Sequence, residues 1–168
     1  MTQKSLEGKI NRKFFRQNPK TVARKLLGRE LVRIFPNNSE VRGRILEVSA
    51  WQGISGDNID QKFPEYKPGV VSVSPRRGWY LTDITCGNGN ACVTLVSAEY
   101  DFEGELVKVG SPGKLSEALG INPDGFDGYD LISGNSLRVE GSPVNPKLVM
   151  QRQKSNLPAN CRGFFYVR

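Results

Sequence analysis

The part of the sequence that most constrains the fold runs from residue 67 to residue 100, KPGVVSVSPRRGWYLTDITCGNGNACVTLVSAEY. It holds three short runs rich in β-branched, aromatic and other apolar residues. These runs are Val70 to Ser74, Trp79 to Thr85 and Ala91 to Ala98. Between them stand Pro75-Arg76-Arg77-Gly78 and the GNGN of residues 87–90, which carry the proline and glycine that tight turns need. The stretch therefore predicts three strands joined by tight turns.

The segment before this stretch predicts a helix followed by a hairpin. Asn18-Pro19 supplies an N-cap residue and a proline at the first helical position, and Gly28 stands where a C-terminal cap belongs. Apolar residues recur between them at helical spacing. The runs ELVRIF from Glu30 and EVRGRILEVSAW from Glu40 favour a pair of strands, separated by the turn residues PNNS.

The segment after residue 100 predicts a second helix and two further strands. Ser111 is the expected cap, Pro112 the first helical residue, and Gly120 the end. A turn-rich segment follows, and then the strands LRVE and GFFYVR. Because no repeat, linker or low-complexity segment divides the 168 residues, we expect an α+β fold with a single domain over residues 1–168.

Histidine is absent from the chain, and its absence excludes several classes of site. Ser–His–Asp triads, Cys–His dyads and HExxH metal sites all need it. Cys86, Cys92 and Cys161 form no CxxC pair, so no metal site or cofactor is expected. Any acid–base catalysis must therefore come from carboxylates, lysine, tyrosine or bound water.

The three cysteines and the hydropathy also bear on where the chain works. An odd number of cysteines without metal spacing is typical of free thiols in a reducing compartment. No apolar run reaches the roughly 18–20 residues of a membrane span, and the N-terminal residues lack the apolar core of a secretory signal. We expect an intracellular protein, in the cytoplasm, nucleoid or nucleus, that contacts no membrane and acts as a monomer.

The net charge of +7 is unevenly distributed along the chain. Residues 1–44 carry +9, residues 45–137 carry −7, and residues 138–168 carry +5. Two basic ends around an acidic middle favour one cationic face that binds a polyanion, and nucleic acid is the default candidate. The alternative is that the basic charge serves solubility alone.

The turn at Pro75-Arg76-Arg77-Gly78 is the strongest candidate for a nucleic-acid contact. Two adjacent arginines at a hairpin tip can enter a groove or bind phosphates, and Trp79 and Tyr80 beside them can stack on a base. The alternative is an ordinary solvated turn whose arginines are there because turns are exposed.

Four further residues have both a functional and a structural interpretation. Trp51, at the end of its strand, is a stacking surface for a base or a large core residue. Asp57 and Asp60 are a carboxylate pair that activates water, or turn formers beside glycine and asparagine. Lys114, after Pro112-Gly113, lies near a phosphate or belongs to a plain helix cap.

Six segments stand out in order along nearly the whole chain. They are FF at Phe14-Phe15, P..VA..LLG..LVR at 19–33, RGRILE at 42–47, SPGKLSEALGI at 111–121, GYDL at 128–131 and FYVR at 165–168. LLG..LVR and PGKL..ALGI are the most specific pair among them. The order of these segments resembles the alkyladenine (3-methyladenine) DNA glycosylase family.

The resemblance implies a compact α+β domain with a curved antiparallel sheet and a β-hairpin that enters the minor groove of double-stranded DNA. It also implies that a damaged nucleotide is flipped into a pocket, where a water activated by a glutamate attacks the sugar. The glutamate position of the family falls at Ser49, and the stacking tyrosine next to it falls at Trp51. The family histidine falls at Gln61 or Asp60.

The hairpin and pocket positions of the family also carry different residues here. The second stacking tyrosine falls at Ser74 and the intercalating tyrosine at Arg77, while the pocket arginine falls at Val96. We therefore expect a base pocket formed by Trp51, Ser74, Tyr80, Asp83 and Val96. Arg76, Arg77 and Lys114 are the expected DNA contacts. The water would be held by Asp57, Asp60 or Asp83 in place of the missing glutamate.

Three hypotheses follow from these substitutions. The first is a divergent glycosylase that acts on cationic alkylated purines through a relocated carboxylate, since a cationic base leaves without a general acid. The second is a catalytically silent descendant that binds nucleic acid or a lesion through the arginine hairpin. The third keeps the fold and adapts the pocket to another ligand.

Overall fold

The computed structural model describes residues 10–52, 66–153 and 155–168. The nine strands of these residues form one curled antiparallel sheet, a half-barrel, with a few short helices. The strands are β1 (Glu30–Ile34), β2 (Glu40–Gln52), β3 (Val71–Arg76), β4 (Trp79–Cys86), β5 (Ala91–Phe102), β6 (Glu105–Val109), β7 (Leu137–Glu140), β8 (Val149–Gln151) and β9 (Cys161–Val167). The helices are α1 (Arg12–Phe15), α2 (Pro19–Leu26), α3 (Pro112–Ala118) and α4 (Pro123–Phe126), with one 3-10 turn at Pro146–Leu148. The expected α+β class is confirmed.

The two longest strands, β2 and β5, lie side by side and organise the sheet. The main strand order is β3-β4-β5-β2-β1-β7. On the side away from β5, β2 pairs first with β1 and then with β9. On the side away from β2, β5 pairs first with β4 and then with β6. The ladder between β2 and β5 shifts register around Glu47. Because the partners change along both strands and bulges increase local twist, the sheet curls.

The predicted helix at Pro19 and the predicted hairpins are confirmed. The Asn18 side chain accepts a hydrogen bond from the backbone N–H of Thr21 at 3.0 Å, and Pro19 occupies the first turn. Gly28, just beyond the helix, has a φ of +84°, a backbone angle that residues with a side chain rarely adopt. β1 pairs with β2, and β3 with β4, as antiparallel neighbours.

The two faces of the sheet differ in character. Along β2, Val48 and Ala50 face the hydrophobic core, and α2 packs against this side of β2, β5 and β9. Ser49 and Trp51 alternate with them and therefore project from the other face. Helix α3 lies against β4 and β5 and carries Leu115 into the core. The face opposite the core carries three of the predicted site residues, Trp51, Ser74 and Asp83.

Sequence patterns missed four short elements. β6 is almost wholly exposed, so no alternation of apolar and polar residues marks it. β8 has three residues and α1 has four. α4 begins at a capping asparagine, Asn122, inside the segment that was interpreted as turns. None of the helices in the described residues has the length and hydrophobicity that a membrane crossing requires.

Candidate active site

A row of buried polar residues crosses the sheet on the face opposite the core. Ser72 of β3 pairs with Asp83 of β4, Asp83 with Thr94 of β5, and Thr94 with Ser49 of β2. Directly opposed residues of antiparallel strands project from the same face. The four side chains therefore form one line, and all are buried, with exposed fractions of 2–8%. Buried polar groups are expensive unless they are satisfied or functional, so this polar row is the primary candidate for a site.

Asp83 carries the charge in the polar row. The Thr94 hydroxyl donates a hydrogen bond to Oδ1 of Asp83 at 2.5 Å. Burial raises the pKa of the Asp83 carboxyl to about 6, while the Thr94 hydrogen bond and the positive charge of Arg76 act in the opposite direction. Asp83 has no ion-pair partner among the residues that the structure describes. At pH 7 and above the group is therefore a largely dry carboxylate.

Ser49 lies at the far end of the polar row, and its hydroxyl already accepts a hydrogen bond from Trp51. The indole Nε1–H of Trp51 donates a hydrogen bond to Ser49 Oγ at 2.9 Å. The indole also meets the ring of Phe164 edge-to-face, with 6.1 Å between centroids. A serine hydroxyl has no capacity to take a proton from water near neutral pH, and here it serves as an acceptor that orients an aromatic plate.

Glu47, two residues before Ser49 on β2, is neutralised by two cations. Its Oε1 lies 3.2 Å from Lys108 Nζ and 3.4 Å from Arg152 Nη2. The Glu47 carboxylate is therefore already engaged in two ion pairs. Asp83 is therefore a better candidate than Glu47 for an acid–base or electrostatic role on this face.

The hairpin of β3 and β4 ends in a two-residue turn, Arg77-Gly78, in which Gly78 takes φ of +77°. Arg76 and Arg77 are exposed, and Trp79 and Tyr80 are 38% and 37% exposed. In such a turn glycine relieves the steric penalty of positive φ. The tip therefore presents two arginines and two aromatic rings to solvent.

Helix α3 braces this hairpin from the core side of the sheet. A Cβ built on Gly113 would lie 2.9 Å from Cβ of Trp79, so the backbone of α3 approaches the indole closely. The Ser116 hydroxyl donates a hydrogen bond to the carbonyl oxygen of Tyr80 at 2.9 Å. The exposed tip thus stands on a fixed base.

The predicted site residues are only partly brought together. Trp51, Ser74 and Asp83 share the face that carries the polar row, Ser74 because it follows Ser72 by two positions. Tyr80 is three residues from Asp83 and lies on the opposite face, where it lines a cleft against α3. Val96 is the unpaired residue of a bulge in β5.

The remaining predictions concern Lys114, Asp57 and Asp60. Lys114 is exposed on α3 and lines the cleft beside Trp79. Asp57 and Asp60 lie outside the residues that the structure describes. Across the described ranges, no cluster of three or more Cys, Asp or Glu side chains is placed to hold a metal ion.

Sequence reasoning missed Ser72, Thr94 and Phe164 as neighbours of this site. A signal was present in β3, where Ser72 and Ser74 alternate with Val71 and Val73. Which strand residues lie opposite one another depends on register, which strand sequences alone do not reveal.

Comparison with known proteins reveals a family likeness over most of the chain. Human DNA-3-methyladenine glycosylase is 27% identical over a match that covers 82% of this chain and 56% of that protein. The mouse protein of the same name is 28% identical, with coverage of 82% and 50%. A bacterial relative from Clostridium novyi, with the provisional name 3-methyladenine DNA glycosylase, is 25% identical over 95% of this chain and 79% of that protein.

No protein-family model matches the sequence. The chain spans about half the length of the two mammalian relatives. The resemblance in motif order is nevertheless confirmed by relatives at 25–28% identity. The chain is therefore similar, over most of its length, to proteins named 3-methyladenine DNA glycosylase.

Proposed function

We propose that this protein is an intracellular, monomeric DNA N-glycosylase that removes alkylated purines from double-stranded DNA with Asp83 as its catalytic carboxylate. The observation that carries the proposal is Asp83 itself, a buried carboxylate without a described cationic partner in a polar row across the sheet. Similarity to proteins named 3-methyladenine DNA glycosylase supplies the reaction class.

Asp83 stands two strands away from the serine at the family's glutamate position. Neighbouring strands are about 4.8 Å apart, so the Cα atoms of Asp83 and Ser49 are separated by roughly 10 Å. Thr94 lies between them and fixes the carboxylate through its hydroxyl. A nucleotide that enters over this face would place its sugar near Asp83 while its base reaches towards Trp51.

Asp83 has two roles in this reaction: it stabilises a positive charge and accepts a proton. In N-glycosidic hydrolysis the sugar C1′ becomes cationic as the bond to the base breaks, and water then attacks C1′ and loses a proton. A dry carboxylate stabilises that positive charge and can accept the proton. An alkylated purine that is already cationic leaves as a neutral base, so no general acid is needed. We therefore infer a preference for cationic over neutral lesions.

The hairpin tip supplies the contacts to the duplex in this proposal. Arg77, at the turn, takes the place left by the flipped nucleotide, and Arg76 and Lys114 contact phosphates. Guanidinium and ammonium groups bind phosphates through charge-assisted hydrogen bonds. Trp51, held by Ser49 and Phe164, provides the surface on which the flipped base stacks.

Single-turnover excision tests the proposal, with duplex DNA that carries one 7-methylguanine as substrate. We expect the parent protein to release the base and Asp83→Asn to be slower by about 10²–10⁴-fold, the usual loss for a general base. Asp57→Asn and Asp60→Asn are assayed in parallel, because the sequence offers these two carboxylates as alternatives. Full activity in Asp83→Asn, or activity lost only in one of the other two, contradicts the assignment to Asp83. No excision by the parent protein contradicts the enzymatic function.

A second candidate function is lesion binding without cleavage. The observation in its favour is that Ser49, at the family's glutamate position, is 2% exposed and already accepts the Trp51 hydrogen bond. In that case the parent protein would bind methylated duplex more tightly than unmodified duplex and release no base. Binding measured beside excision on the same duplex separates the two functions.

A further inference from the structure

A cavity lies on the other side of the sheet from the polar row. It has a volume of about 760 Å³ and opens between α2 and the segment that leads into β8. Phe165 of β9 lines it, whereas the neighbouring Phe164 contacts Trp51 on the site face. Because adjacent strand residues project to opposite faces, the cavity is separated from the polar row by the sheet. The glycosylase proposal leaves this cavity without a role.

The walls of this cavity are cationic above an apolar floor. Arg24, Lys25 and Arg29 line one side, and Phe14 and Phe165 contribute aromatic rings. No acidic residue lines the cavity in the part of the chain that the structure describes. Within the same residues none of the three cations has an ion-pair partner. The cavity therefore concentrates positive charge that no described residue neutralises.

Two of the cations, both arginines, stack their planar guanidinium groups on aromatic rings and so form flat platforms. Cζ of Arg24 lies 5.3 Å from the centroid of the Phe165 ring, and Cζ of Arg29 lies 5.1 Å from that of Phe14. A guanidinium stacked on an aromatic ring is held in place, and its other face can stack on a second planar group. Lys25 adds a point charge whose Nζ donates a hydrogen bond to Gln17 at 3.1 Å.

Arg29 is the fixed part of this cationic wall. Its Nε donates to the Lys25 carbonyl oxygen at 2.7 Å, and its Nη1 donates to the Gly141 carbonyl oxygen at 2.5 Å. Burial lowers the pKa of Arg29, because desolvation disfavours the charged form. Among the described residues this half-buried guanidinium donates hydrogen bonds to neutral carbonyl groups alone, so an anion brought into the cavity would stabilise it.

We propose that this cavity binds a phosphate-bearing nucleotide. A terminal phosphate carries two negative charges, whereas a carboxylate carries one. Three cations without a described ion-pair partner therefore favour a phosphate over a carboxylate as the ligand. The guanidinium platforms match a planar base, and a cavity of this volume lies in the range of small-ligand sites. The same chemistry is offered by a free mononucleotide and by the phosphorylated end of a DNA strand.

Calorimetric titration with adenosine monophosphate, adenosine and inorganic phosphate tests the chemistry. We expect the mononucleotide to bind at least tenfold more tightly than either fragment, because only it uses both the cations and the platforms. The Arg24→Gln/Lys25→Gln double variant should weaken binding about tenfold or more. Lys20→Gln, on the same helix but outside the cavity lining, is the matched control and should change binding less than twofold.

A short single strand with a 5′-phosphate, titrated in the same way, distinguishes the two sources. Tighter binding of the strand assigns the cavity to a DNA end, and tighter binding of the mononucleotide assigns it to a free nucleotide. Binding of neither, phosphate binding as tight as the mononucleotide, or an unaffected double variant overturns the proposal. Excision of 7-methylguanine by the double variant should stay within about twofold of the parent, so failure here is distinguishable from failure of the glycosylase proposal.

Discussion

Replacing Asp83 by asparagine should make the fold more stable at neutral pH. The carboxyl of Asp83 has a pKa of about 6 in the folded protein, against an ordinary value of 3.8, because burial disfavours its charge. Below both values the group is neutral in the folded and unfolded chains and carries no penalty. As the pH rises from about 4 to about 6, the unfolded chain ionises first, so the fold loses stability. Above about pH 7 the loss is complete and constant.

The size of this effect follows from the two pKa values. One pKa unit corresponds to about 1.4 kcal/mol, so a shift from 3.8 to about 6 costs the folded state about 3 kcal/mol above pH 7. Asparagine keeps an oxygen that can accept the Thr94 hydrogen bond, and its amide carries no charge. Costs of the amide that do not depend on pH cancel when the same pair of proteins is compared at two pH values.

Urea denaturation of the parent and Asp83→Asn at pH 4.5 and pH 7.5 measures the effect. The free energy of unfolding of the variant, relative to the parent, should rise by about 2 kcal/mol between these pH values. Asp124→Asn, the same substitution at an exposed position of α4, is the control and should stay within about 0.5 kcal/mol at both. A variant-minus-parent difference that does not change with pH would refute the argument, because Asp83 would then titrate as an ordinary aspartate.

Three further predictions concern the hairpin and the thiols. Arg77→Ala should weaken duplex binding and reduce the slope of log affinity against log salt by about 1, since one phosphate contact is lost. Gly113→Ala should destabilise the fold by about 1–3 kcal/mol in urea, because the new Cβ would meet Trp79 at 2.9 Å. In the native protein a thiol reagent should modify Cys161 first, since it is half-buried, whereas Cys86 is buried and burial raises its thiol pKa to about 12.

The two substitutions have matched controls, and all three predictions have a contrary result. Lys147→Ala, exposed in the 3-10 turn and not in the hairpin, should leave the salt slope of duplex binding unchanged, and a slope equal to the parent's in Arg77→Ala would remove the hairpin from the interface. Gly110→Ala should be neutral, because nothing lies within 4 Å of its Cβ position, and an equal loss there would exclude the Trp79 clash as the cause. Rapid modification of all three cysteines in the native protein would contradict the burial of Cys86.

Local chemistry predicted much of the fold. The helix at Pro19 was predictable because the cap at Asn18 and the apolar spacing act within one segment. The hairpin at Arg77-Gly78 was predictable because its glycine accepts a positive φ between two β-rich runs. β6 was not predictable in this way, because an exposed edge strand has no buried face to leave a pattern.

The site was less predictable, because it depends on pairing between distant segments. Asp83 and Ser49 belong to strands that do not pair with each other, and the register through Thr94 places both in one row. Tyr80 was expected in the base pocket from its place beside the arginines. Its odd separation from Asp83 along one strand puts it on the other face, and that much could have been inferred from the sequence.

The pH dependence of single-turnover excision of 7-methylguanine tests the central claim most directly. If ionised Asp83 carries the reaction, the rate constant should be level above about pH 7 and should fall about tenfold per pH unit well below pH 6. Asp83→Asn should be slow at every pH and lack that inflection. A parent profile that stays level from pH 5 to pH 8, or an inflection that survives in Asp83→Asn, would contradict the account.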